Sequence, residues 1–398
     1  MKVLAVHPSA DLYGSDRMFL AALAAARDGG ADVVAHLPGG GPLEPALATH
    51  GVEVIVAAFP VLRRSRLRGL HAIPAVVRWV VALPGCLRVL ARQRPDVVYV
   101  STVVCPIWVL AAALARRPVV VHVHENEPDM RPLAAKVLLA PLRLATTIVA
   151  NSTSTRSWLT AVYPRLAART IVVDNGLAAP LVTPRADRPE PRVGASRLVV
   201  IGRLSERKGQ EVVVRAAHLL GERGYEIDLS LVGASYPGYE DYPERLQRLA
   251  ERSSPRVVVH LSGFAPEPWP ALAAADVAVV PSTRPESFGN VAVEALLAGV
   301  PTVATDVPGL REIIRHGETG LLVPPGRPEP LADAIAQLID DPTWARQLAV
   351  AGQQDVRQRF GLERYEAAMR ELLCSPEGGR RQCAASTRRT RRRPSSVL

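Results

Sequence analysis

The chain has 398 residues, more than one hydrophobic core serves, so two or three domains are expected. At 48% hydrophobic and 22% charged it has the composition of a folded chain, not a disordered one. The net charge of +10 sits largely at the end, where seven Arg after Cys374 face one acid, Glu377. The body is left with +4, and nucleic acid is therefore not an expected partner.

From the N-terminus, short β-branched runs alternate with Ala/Leu/Arg stretches. Strands are predicted over 2–8, 32–38, 52–58, 96–102, 118–125, 146–152 and 170–176. Near-continuous apolar runs of this kind suit a parallel sheet buried on both faces, with helices as crossovers. Residues 97–115 carry no charge and approach the length of a membrane span. Ser101, Thr102 and Pro106 interrupt them, and a buried strand followed by a helix fits the change of composition better. The first residues, Met-Lys-Val-Leu-Ala-Val, read as a strand and not as a leader.

Residues 178–195 hold four prolines and no periodicity, and read as a linker. Strands then resume over 197–203, 227–233, 257–263, 277–282, 302–305 and 320–325, with helices over 208–224, 241–252, 289–299 and 328–338. One or two closing helices are predicted over 342–373, and the tail from 374 has the composition of a solvated end. The resulting division is 1–177, a linker 178–195, 196–341, the closing helices 342–373 and the tail 374–398. Four cysteines (Cys86, Cys105, Cys374, Cys383) show no C-x-x-C spacing, which argues against zinc and a disulfide framework and for a reducing cytoplasm.

Two segments carry candidate chemistry. Pro285-Glu286-Ser287-Phe288-Gly289-Asn290-Val291-Ala292-Val293-Glu294 leads from a strand into a helix, where unpaired N–H groups favour an anion. Its two carboxylates can line one side of the helix and suit the hydroxyls of a sugar or ribose, although a solvated helical Glu gives the same pattern. Gly202-Arg203-Leu204-Ser205-Glu206-Arg207-Lys208-Gly209 also links a strand end to a helix. Arg203 and Lys208 would supply a planar fork and a point charge for phosphate; an ordinary basic loop is the competing reading. Lys208 stands out because the chain has only three lysines among 48 basic residues. No Walker-type loop and no Asp-x-Asp motif occurs.

Taken together, G-R-L-x-x-x-K-G at 202–209 and P-E-S-F-G-N-x-x-x-E at 285–294 resemble the retaining glycosyltransferases of family 4. Weaker elements support the likeness: N-S-T-S at 151–154, D-N-G at 174–176, G-L-R-E at 309–312 and H-G-E-T-G-L-L-V at 316–323. The resemblance covers nearly all of 1–373 and implies an α/β GT-B fold, two Rossmann-like parallel-sheet domains facing each other across a cleft. It implies that Arg203 and Lys208 hold a nucleotide-sugar diphosphate, that Glu286 contacts the donor sugar and that Glu294 binds the ribose. Ser287, Phe288, Gly289 and Asn290 would approach sugar and phosphate, with Gly202 beside them and Gly263-Phe264 at the base. In the first half it places Gly14-Ser15 in the loop after the first strand, where the family often has Gly-Gly. It also implies a donor-facing histidine at a strand end, His124 or the same-face His122.

The implied reaction is transfer of a sugar from a nucleoside-diphosphate sugar to a hydroxyl of a glycan or lipid-linked acceptor, with retention, no cofactor and no required metal. An envelope or exopolysaccharide pathway would fit. A nucleotide-sugar epimerase of the same architecture and a nucleotide-sugar-binding protein without turnover are the alternatives. Residues 62–94 combine eight Arg with a Trp-containing apolar face, a pattern suited either to the anionic inner face of the cell membrane or to a helix packed on the first sheet. Cytoplasmic location, with or without that membrane contact, is the expectation.

Overall fold

Among the described residues, thirteen strands form where the apolar runs place them, in two all-parallel sheets. The computed structural model describes residues 1–62, 72–180, 194–235 and 238–375, with 72–78 and 80 described by their backbone alone. The centre of the linker, the Arg-rich tail and the start of the basic 62–94 stretch therefore lie outside the described residues. The described chain forms two compact units, Met1–Gly176 with the segment from Leu362, and Leu177–Gly361.

The first unit contains β1 (Lys2–Val6), β2 (Asp32–Leu37), β3 (Glu53–Val56), β4 (Val97–Val100), β5 (Val119–Val123), β6 (Thr147–Ala150) and β7 (Thr170–Val172). They lie side by side in the order β3-β2-β1-β4-β5-β6-β7. Between them run α1 (Gly14–Asp28), α2 (Leu43–Thr49), α3 (Ala72–Gln93), α4 (Pro106–Leu114), α5 (Pro132–Leu139) and α6 (Thr153–Val162). Alternation along β1 shows why the runs are continuous. Leu4 and Val6 enter a core with α3, α4 and α6, whereas Val3 and Ala5 enter the opposite core with α1 and α2.

The second unit contains β8 (Ser196–Ile201), β9 (Ile227–Val232), β10 (Val257–Gly263), β11 (Val277–Val280), β12 (Thr302–Thr305) and β13 (Leu321–Val323), in the order β10-β9-β8-β11-β12-β13. Its helices are α7 (Gln210–Glu222), α8 (Tyr242–Ala250), α9 (Trp269–Ala274), α10 (Asn290–Leu297), α11 (Leu310–Ile313), α12 (Pro328–Asp340) and α13 (Pro342–Phe360). In both sheets the chain reverses its direction of winding once, between β1 and β4 and between β8 and β11. Such a switch point opens a crevice at the strands' carboxyl ends, where ligands of doubly wound folds bind.

Two details differ from the sequence reading, and a third bears on alternatives it left open. The closing helices divide: α13 stays with the second unit, while α14 (Leu362–Cys374) packs on α1 of the first. Tyr365, Met369, Leu372 and Leu373 fill the α1 core, and the Tyr365 hydroxyl donates to the Met18 carbonyl at 2.8 Å. Gly14 is not in a loop but is the first residue of α1, with Ser15 the second. Part of α3 turns inward, Cys86 and Leu90 fully and Trp79, Leu83 and Leu87 in part, so this much of its apolar face packs on the sheet, while Val81 is exposed. The uncharged 97–115 run divides into β4 and α4 as expected, and among the described residues no helix is long and apolar enough to cross a membrane.

Candidate functional site

The two conspicuous motifs of the second unit meet at its switch point. β8 and β11 are neighbours in the sheet. Behind β8 the chain turns through a short 3-10 segment, Glu206–Lys208, and behind β11 it runs through 281–289 into α10. Lys208 Nζ donates to Glu286 Oε1 at 2.7 Å, and Ser282 Oγ donates to the same oxygen at 2.5 Å. Glu286 is 8% exposed, so this is a nearly buried ion pair between residues 78 positions apart.

Further bonds fasten one loop to the other. The Arg207 guanidinium donates to the Pro285 carbonyl at 2.5 Å, and Thr283 N–H donates to the Arg207 carbonyl at 2.9 Å. Gly209 makes the approach possible: its φ is +72°, and a Cβ there would lie 2.0 Å from the Pro281 carbonyl oxygen. The Lys208 stem passes beside Gly202, which closes β8. Neither Ser282 nor Arg207 was singled out from sequence. Arg207 lies inside the quoted motif, but nothing in its spacing reveals the carbonyl it reaches.

Burial pushes the Glu286 carboxyl up, but the Lys208 ammonium and the Arg207 guanidinium, with the bonds from Lys208 and Ser282, outweigh it and hold the group below its ordinary range. Glu286 is thus an anion whose charge is already matched. The remaining expected residues surround it in sequence and fold. Ser287, Phe288 and Gly289 lead into α10 and Asn290 is its first residue. Phe288 sends its ring into the core against Phe360, so only its backbone faces the loop. Glu294 lies one turn into α10 and is 7% exposed, a buried carboxylate and not a solvated one. Arg203 is exposed just beyond β8, and its carbonyl accepts from Gln210 Nε2 at 3.1 Å. Gly263 ends β10, its carbonyl accepting from Gly233 N–H at 2.7 Å, and Phe264 behind it is exposed.

The first unit gathers a different set of groups. His7, just past β1, is bonded through Nε2 to Asp16 Oδ1 at 2.7 Å, and Asp16 also accepts from Ser9 Oγ at 2.6 Å and Tyr13 N–H at 2.9 Å. The rings of His122 and His124 lie tilted against each other with centroids 4.0 Å apart, on one strand face. His122 is fully buried and its Nδ1 pairs with the Tyr99 hydroxyl at 2.9 Å. His124 lies one residue beyond β5, and both its ring nitrogens are shut off from solvent without a hydrogen-bond partner. Burial pushes its pKa down to about 3, His7 adding to the effect and Asp16 opposing it. Of the two histidines, His122 spends one ring nitrogen on Tyr99 and leaves Nε2 without a partner, while His124 leaves both unspent. Glu125 is held by Thr102 Oγ1 and by the His124 N–H, and burial raises its pKa. Among the described residues no group of three or more His, Cys, Asp or Glu could hold a metal ion.

Comparison with known proteins accounts for both halves. A family model described as Glycosyltransferase Family 4 matches residues 14–178, and one described as Glycosyl transferases group 1 matches residues 186–355. The D-inositol 3-phosphate glycosyltransferase of Thermomonospora curvata is 32% identical over 69% of this chain and 65% of its own length. That of Pseudarthrobacter chlorophenolicus is 36% identical over 56% of each. The chain thus spans less than two-thirds of the length of these curated relatives. Among solved structures, Anabaena HepE in complex with UDP and glucose matches with a TM-score of 0.76 at 25% identity, over 94% of this chain and all of that one. Sucrose-phosphate synthase of Thermosynechococcus elongatus shares the fold at 22% identity, with a TM-score of 0.72 over 97% of this chain and 100% of its own. Both family models describe glycosyltransferases, which sets the epimerase reading aside.

Proposed function

The chain belongs to glycosyltransferase family 4 and has the GT-B fold, and from that premise we propose that it transfers a sugar from a nucleoside-diphosphate sugar to an acceptor hydroxyl. The observation that carries the reading is the buried Lys208–Glu286 pair at the β8/β11 switch point. A cation fixed at that position, with exposed Arg203 beside the same strand end, is prepared for negative charge before any ligand arrives. The solved relative in complex with UDP and glucose makes a UDP-sugar the first donor to test.

In this reading Lys208 and Arg203 receive the diphosphate. The bond between the anomeric carbon and the diphosphate oxygen breaks, its electron pair passing to that oxygen, where the two cations stabilise the developing charge. The acceptor oxygen forms the new bond from the face the diphosphate leaves, and its proton departs with the phosphate. Configuration is retained. Glu286 stays ionised and accepts hydrogen bonds from donor-sugar hydroxyls; it is not the nucleophile. Glu294 accepts from the ribose, and the N–H groups at the start of α10 face the anion. His124, a neutral imidazole, offers a hydrogen bond to the donor sugar. No metal or cofactor is required. The acceptor is a glycan, a lipid-linked sugar or a polyol, and assembly of envelope polysaccharide is the pathway we favour.

A donor panel tests the reading. Purified protein is titrated with UDP-, GDP- and ADP-sugars while nucleoside diphosphate release is followed, with Lys208→Ala and Glu286→Gln alongside. Selective binding of one donor that Lys208→Ala abolishes supports the proposal. Absence of binding to every donor by a folded sample overturns the catalytic assignment, and binding without release in the presence of acceptors leaves a nucleotide-sugar-binding protein.

A further inference from the structure

Charge is divided along the sequence far more sharply than the whole-chain value suggests. Residues 54–173 carry sixteen Arg and Lys against four acids, a net +12, whereas the rest of the body outside the Arg-rich tail is net −8. No Asp or Glu occurs over 97–124 or over 130–169. In the first unit this stretch builds α3, α4, α5 and α6, a layer on one face of the sheet. α4 packs against α3 and against the 3-10 turn Ala140–Leu144, which in turn meets α5.

The outer side of that layer is apolar where a soluble surface would be polar. Leu110 and Leu114 are exposed one turn apart on α4, and Leu133 and Val137 one turn apart on α5, the latter pair 75% and 66% exposed. Leu144 on the turn and Val81 on α3 are exposed as well. Cations stand among them: Arg88 and Arg92 on α3, Arg116 behind α4, Lys136 on α5 and Arg143 on the turn, all exposed. The nearest acids in sequence are Asp96, just after α3, and Glu127 and Asp129, just before α5.

We propose that this face of the first unit docks on an anionic lipid bilayer. The apolar side chains would sink to the level of the lipid carbonyls while Arg and Lys, whose stems lie along apolar surface, meet the lipid phosphates. Two signals of this kind, a shallow apolar patch and a basic surround, are what stable peripheral attachment needs. The charge speaks against a second copy of the chain as occupant, since two such faces repel. It speaks equally against nucleic acid, because a phosphodiester backbone offers nothing to six exposed Leu and Val side chains on four adjoining elements. The surface is also distinct from the inward-turned Trp79 side of α3.

Flotation of the full chain with vesicles of phosphatidylcholine alone, or mixed with phosphatidylglycerol, tests the proposal. Binding is expected to the mixed vesicles only and to fall as salt is raised. Leu110→Ser with Leu133→Ser should weaken it by roughly tenfold or more, and Lys136→Gln by about fivefold. These residues are exposed, so the variants should melt like the parent. Val258→Ser with Val350→Ser, exposed apolar residues of the second unit, should leave binding unchanged. The proposal fails if mixed vesicles are not bound, or if the leucine variants bind as the parent does while Arg391→Gln, Arg392→Gln and Arg393→Gln in the tail abolish binding. It also fails if the leucine variants disrupt a dimer seen by sedimentation, or if DNA binds as tightly as the vesicles and is released by the same variants.

Discussion

The two switch points solve the problem of buried polar groups in opposite ways. In the second unit a carboxylate stays charged at 8% exposure because Lys208, Arg207 and Ser282 converge on it. In the first, imidazoles are buried with little to match a charge, and they stay neutral: His124 is pushed down to about 3, His36 down to about 4, and His122 lower than its ordinary range. One region is organised around charge and the other around its exclusion. A site that must stabilise a departing diphosphate needs the first arrangement; a group that offers an uncharged hydrogen bond to a sugar needs the second.

Acid should separate the two regions most clearly. A histidine whose folded pKa lies below 6.5 binds a proton in the unfolded chain before it does in the folded one, so stability is lost as pH falls from 6.5 toward the folded value. Each such residue contributes about 1.4 kcal/mol per pH unit, and three of them about 4. Glu286 has the opposite history: its folded pKa is depressed, so its contribution is present above about pH 4.5 and disappears only below that. Hydrogen exchange between about pH 6.5 and 4.5 should therefore show the first unit opening while the second holds. His36→Leu should reduce the slope by about a third. Equal loss of protection in both units would break the comparison.

Lys208→Ala attacks the charged region directly. Removing a cation placed for the leaving group should lower turnover by about 10²–10³. It also leaves Glu286 unpaired in a buried position, costing up to about 3 kcal/mol of stability, with Lys208 itself a quarter exposed. Lys208→Met with Glu286→Gln should return most of the stability and none of the turnover. If the double variant transfers sugar at the parent rate, the pair is structural and the assignment fails.

Two glycines with nearly the same backbone make the next test. Gly209 and Gly263 have φ of +72° and +70°, but a Cβ at Gly209 would strike the Pro281 carbonyl while one at Gly263 would meet nothing within 4 Å. Gly263→Ala should cost about 1 kcal/mol, the backbone term alone. Gly209→Ala adds the clash between the two site loops and should cost about 3 kcal/mol or more, with donor affinity falling too. Urea unfolding of both variants measures the difference.

Such contrasts explain what the sequence could reveal. The strands were legible because a parallel sheet covered on both faces demands continuous apolar runs, and thirteen such runs are present. The two motif segments were legible because a strand end followed by the start of a helix concentrates polar residues. The Lys208–Glu286 bond was not, since 78 residues separate its partners and only the adjacency of β8 and β11 joins them. The partner of α14 was hidden for the same reason: a stripe of Tyr365, Met369, Leu372 and Leu373 says that one face is buried but not against which helix. α4 shows the same limit: an uncharged run does not say which positions face outward, as Leu110 and Leu114 do.

The smallest effect is expected at Asp16, a carboxylate held against His7 at the edge of the histidine cluster. Burial pushes its pKa up, while His7, Ser9 and the Tyr13 N–H outweigh that and bring it below its ordinary value. Its oxygens fasten the segment after β1 to the first turn of α1, which begins with Gly14 and Ser15. Asn at this position retains one acceptor oxygen and replaces the other with a donor, so one bond is lost and the group's charge with it. Asp16→Asn should cost about 1–2 kcal/mol, the scale of a helix-capping contact or one charged hydrogen bond. In a unit of this size that is a fall of roughly 2–8 °C in Tm. If Asp16→Asn instead leaves thermal unfolding unchanged, the segment after β1 is held by packing alone and the buried carboxylate is incidental.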